Sequence, residues 1–93
     1  MGMSQSEQKQ TVSVGDNVVF NWGGVHNVYE MPSETAFDAC DFSQAVELAS
    51  TTQRSYTYKA TASGTFYFAC QISGHCNLGQ KLSLTVTGVF FLG

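Results

Sequence analysis

The chain has 93 residues, 43% of them apolar and 13% aromatic, and a formal net charge of −3 at pH 7. That length allows one domain, and the apolar content is enough to bury a core, which excludes a disordered chain. The four cations, Lys9, Arg54, Lys59 and Lys81, are scattered. They form no basic patch for nucleic acid or an anionic membrane, and no apolar run approaches the roughly 18 residues of a membrane-spanning helix.

Residues 1–10 are polar and lack the apolar stretch of a secretory leader. With their Met-Gly-Met-Ser opening they are expected to be a flexible lead-in outside the fold, and the chain is read as a domain excised from a longer protein. Thr11–Val14 alternates apolar and polar residues, and Gly15-Asp16 supplies a turn. Asn17–Trp22 predicts a second strand with Val18, Phe20 and Trp22 on one face, broken by Gly23-Gly24. His26–Met31 predicts a third, stopped by Pro32, the chain's one proline. Over Ser33–Phe42 the pattern changes. Ser33 can cap a helix, Glu34 suits the positive end of its dipole, and Ala36, Phe37 and Cys40 share a helical face, which predicts one or two turns. Alternation resumes over Arg54–Lys59. It resumes again, after the turn at Ser63-Gly64, over Thr65–Cys70, where Phe66 and Phe68 face one way and Tyr67 the other. Lys81–Val86 closes the series with Leu82, Leu84 and Val86 aligned. Residues 88–93 are expected to be a C-terminal extension, either of the last strand or toward a following segment. Short strands rich in Val, Thr, Tyr and Phe predict an all-β sandwich or barrel over residues 11–87, with one short helical turn.

Three cysteines and two histidines are the informative counts. The odd cysteine number suggests one disulfide and one thiol kept for another purpose. Cys70-x4-His75-x4-Gln80 follows the aromatic strand, and His26 lies 44 residues before Cys70. A copper ion that cycles between Cu(I) and Cu(II) suits two imidazoles, one thiolate and a weak axial ligand. Cys70 would stand at a strand end, and the loop that follows would return His75 and Gln80 to the same point, with Gly74 and Gly79 easing the backbone. His26 would arrive from a neighbouring strand across the sandwich. A lone histidine in a β-protein is usually structural, and a lone cysteine is usually core packing. The joint spacing favours the metal, whereas Gln80 alone is weak evidence. Asn27, next to His26, could tie its strand to the Cys70 loop through its side chain. Zinc is the rival ion, because it also accepts histidine and cysteine. Two histidines cannot build a trinuclear oxidase cluster and leave none for a hydrolase triad, so no enzyme is expected.

Gly15–Trp22, His26-Asn-Val28 and Tyr67–Lys81 together resemble the phytocyanin branch of the cupredoxins, over roughly residues 11–87. The resemblance implies a Greek-key β-sandwich with a blue copper site. It implies His26, Cys70 and His75 as equatorial ligands and Gln80 as the axial ligand, as in the stellacyanin subgroup. It also implies a disulfide whose second cysteine directly follows the C-terminal histidine ligand, here Cys76, with Cys40 as its partner. That pairing leaves Cys70 free and closes a loop of about 37 residues, worth about 4 kcal/mol by chain entropy. The stretch between Met31 and Arg54 departs from the family pattern. The expectation is a one-electron carrier for an unknown redox partner protein, secreted or lumenal because of the disulfide, and monomeric by default. The alternative is a redox-silent copper-binding module at the cell surface.

Overall fold

The structure is a computed structural model that describes residues 8–72, 74–77 and 79–88. Seven strands and one helix follow in order: β1 (Gln8–Ser13), β2 (Asn17–Asn21), β3 (Val28–Met31), α1 (Glu34–Ala39), β4 (Val46–Ala49), β5 (Ser55–Lys59), β6 (Gly64–Ala69) and β7 (Lys81–Thr87). They form a five-stranded sheet in the order β1-β7-β6-β3-β4 and a two-stranded sheet of β2 and β5. β1 runs parallel to β7, and the other pairs are antiparallel.

Period-two patterning explains the layers. Val18, Phe20 and Trp22 from the smaller sheet pack with Val28, Phe68, Cys70, Leu82, Leu84 and Val86 from the larger one and its flanks. Phe68 is fully buried, with the Phe20 ring at 5.2 Å and the Tyr58 ring edge-on at 4.9 Å. Such offset and edge-to-face pairs add to the stabilisation from burial. The other face of the larger sheet carries Met31, Tyr67 and Ala69, and α1 covers it with Ala36 and Phe37. Phe66 and Phe68 thus face the sandwich and Tyr67 faces the helix.

α1 begins where Ser33 Oγ accepts the N–H of Ala36 at 3.1 Å, which satisfies one of the helix's orphan donors. It ends at Cys40 in the left-handed region (φ 52°). Glycine usually takes that position, but here the side chain is needed for a disulfide to Cys76, with Cα atoms 5.9 Å apart.

Two features differ from the sequence-based expectation. The first strand starts at Gln8, so Gln8–Gln10 belong to the fold and pair with Leu82–Leu84. Polar side chains hide Gln8–Gln10 from a reading of periodicity, and pairing with β7 draws them into the strand. β4 was not expected, because Val46 and Glu47 are both exposed and the segment lacks alternation. Its pairing with β3, through a register shift between Val28 and Tyr29, creates it. Of the C-terminal extension expected at residues 88–93, residues 89–93 lie outside the described residues. Among the described residues, no helix is long and apolar enough to cross a membrane.

Candidate metal centre

One end of the sandwich gathers three donor side chains. Cys70 follows β6 and is fully buried, and its sulfur is the free thiol among the described residues. Its N–H donates to the Gln80 carbonyl at 3.0 Å, and the Gln80 N–H donates to the His75 carbonyl at 2.9 Å. The main chain of Gln80 therefore bridges Cys70, where the loop begins, and His75, at its middle. Gly74 (φ 80°) and Gly79 (φ 93°) supply the left-handed backbone that returns the chain within so few residues.

His26 comes from the segment just before β3, and β3 is hydrogen-bonded to β6 in the same sheet. It does not reach across the sandwich, as the sequence had suggested. Strand neighbours bring it to Cys70, and Asn27 locks the arrangement: its Oδ1 accepts the Gln71 N–H at 2.7 Å. Asn27 is buried, and this contact joins it to the exposed Gln71 at the start of the loop.

The Cys70 sulfur lies 3.6 Å from His26 Nδ1 and 3.4 Å from His75 Nδ1. The donor atoms of the three residues all fall within 4.8 Å of one another. A planar trigonal ion with metal–sulfur and metal–nitrogen lengths of about 2.3 and 2.05 Å would hold such donors about 3.8 Å apart. The two sulfur–nitrogen distances are close to that spacing, so the residues fit a metal ion. The imidazole rings are tilted by 42°, with centroids 4.8 Å apart. Burial, then the neighbouring His75 ring, hold His26 below its ordinary pKa of 6.5, which favours the neutral form that binds metals. His26 is buried, whereas His75 is half-exposed.

Gln80 is buried, 6% exposed, beside these residues, and its backbone contacts tie it to both Cys70 and His75. Cys76, directly after His75, is bridged to Cys40 at the end of α1. Lys81 was counted only as a scattered charge in the sequence. Its ammonium donates to the Phe37 carbonyl at 2.9 Å. No local pattern announces a contact between residues 44 positions apart.

A β-sandwich with two imidazoles and a thiolate converging at one end defines a class of small single-ion copper domains. Residues 3–80 match the family described as "Plastocyanin-like domain", and the chain belongs to that family. It is 37% identical over 84 residues to cucumber peeling cupredoxin from Cucumis sativus, covering 89% of this chain and 61% of that protein. It is 36% identical over 78 residues to a blue copper protein from Pisum sativum, covering 83% of this chain and 40% of that one. The chain thus spans only part of the curated relatives it matches. Cucumber stellacyanin, solved with Cu2+, superposes with a TM-score of 0.74 at 34% identity, over 86% of this chain and 73% of that one. The domain is a blue-copper domain, and copper is its cofactor.

Proposed function

We propose that this domain carries single electrons through a copper ion held by His26, Cys70 and His75, with Gln80 in the axial position. The observation that carries the reading is the Cys70 sulfur within 3.6 Å of two imidazole nitrogens in a chain of this family. When bound, copper supplies a Cu(I)/Cu(II) couple. The chain's own residues keep the donors still. Two sheet strands, the Asn27–Gln71 hydrogen bond and the disulfide beside His75 fix the set from three directions. A fixed set resists rearrangement when the ion's charge changes. His26 sits inside, so the half-exposed His75 is the side chain through which an electron reaches a partner redox protein. The role is that of a carrier and not an enzyme. The disulfide supports an oxidising, secreted or lumenal setting.

Adding Cu2+ to metal-free protein should produce an intense visible thiolate-to-copper band, whereas Zn2+ should leave the protein colourless. Cys70→Ser should abolish the band while the fold is retained. Gln80→Met replaces a hard oxygen donor with a soft sulfur and should raise the reduction potential by more than about 59 mV, tenfold in a one-electron equilibrium. An intense band surviving in Cys70→Ser would overturn the ligand assignment, and an unchanged potential in Gln80→Met would remove Gln80 from it.

A further inference from the structure

Lys9, Arg54 and Lys59 are exposed, whereas Lys81 is half-buried at the first position of β7. Its ammonium donates to the Phe37 carbonyl at 2.9 Å, stands 4.7 Å from the centroid of the Phe37 ring and lies 4.0 Å from Cys40 Sγ. The Phe37 carbonyl belongs to the last turn of α1, which carries no basic residue of its own. Lys81 therefore brings, from another element, the cation that a helix C-terminus favours, and it adds a charged donor to a carbonyl that otherwise accepts only the long 3.3 Å bond from the Cys40 N–H.

The other end of Lys81 is the metal loop. Its N–H donates to the Gly79 carbonyl at 2.8 Å, and it directly follows Gln80, whose main chain bonds both His75 and Cys70. The end of α1 is thus fastened to the loop twice. The disulfide attaches it beside His75, and Lys81 attaches it beside Gln80.

We propose that Lys81 is a positioning residue for the copper site: anchored on the end of α1, it holds the Gln80 backbone in register with Cys70 and His75. This rests on the copper reading above. The ammonium is what matters, because the acceptor is a carbonyl. Methionine keeps an apolar stem along the Phe37 ring but donates nothing, whereas arginine keeps the donor and the charge.

The test compares Lys81→Met, Lys81→Arg and, as an exposed control, Lys59→Met. In metal-free protein, amide hydrogen exchange is read at Cys70 and Gln80, with Val18 and Phe20 reporting the sandwich core. A hydrogen bond to a charged donor is worth enough to predict about tenfold or more faster exchange at Cys70 and Gln80 in Lys81→Met. Val18 and Phe20 should change less, and Lys81→Arg should restore the rates. In Cu2+-loaded protein, Lys81→Met should shift the reduction potential and the electron-spin spectrum, with Lys81→Arg close to the parent. Exchange at Cys70 and Gln80 that is unchanged, or that rises only as much as in the core, would overturn the proposal. Lack of a visible band in copper-treated parent protein would overturn the copper reading, while the metal-free exchange would still decide the anchoring.

Discussion

Removing the Cys40–Cys76 bridge should cost this domain a large share of its stability. The perturbation is the double variant Cys40→Ser with Cys76→Ser, because a single replacement would leave a thiol able to compete with Cys70. The bridge joins residues 36 apart. Chain-entropy arithmetic for a loop of that length gives about 4 kcal/mol at 25 °C. A chain this long is expected to hold roughly 5–14 kcal/mol in total. Urea unfolding of the metal-free proteins measures the loss. With slopes of about 1–3 kcal/mol per molar for small domains, the midpoint should fall by roughly 1.3–4 M. Because Cys76 follows His75, copper affinity should fall as well. A loss below about 1 kcal/mol would refute the chain-entropy argument. Full loss of stability with unchanged copper affinity would show that the bridge acts on the unfolded chain and not on the His75 loop.

Asn27→Ala should destabilise the domain by about 0.5–1.5 kcal/mol, because the part-buried Gln71 N–H loses its acceptor. Asn27→Asp, which keeps the acceptor, should lose less, and denaturant unfolding decides between them. Glu30 provides a pH test, since burial raises its carboxyl above the ordinary 4.5. The folded state thus holds that proton more tightly than the unfolded chain does. The associated stability is fully present below about 4.5 and is lost as pH rises through the raised folded value. Glu30→Gln, uncharged throughout, should therefore melt higher than the parent at pH 7, and this advantage should fade in acid. A melting-temperature difference that is constant across that range would contradict the argument.

The strands and the candidate donor residues were legible because their signals are local. Val18, Phe20 and Trp22, then Phe66 and Phe68, then Leu82, Leu84 and Val86 repeat every second residue, and all but the half-buried Phe66 are buried between the sheets. Ser33 is a helix cap by its own chemistry and its distance from Ala36. Cys70, His75 and Gln80 share one short loop, and a chain with two histidines offers His26 as the remaining imidazole. Tertiary structure decided the rest. Val46–Ala49 becomes a strand only because β3 presents an unpaired edge, and Gln8–Gln10 becomes one because β7 lies alongside. His26 meets Cys70 through neighbouring strands of one sheet, a pairing that no local pattern encodes. Lys81 reads as a solvated charge until the fold sets the end of α1 beside it. Periodicity records which face of an element is buried, but not which distant element covers it. Contacts between residues some 44 positions apart exist only once the sheets have packed.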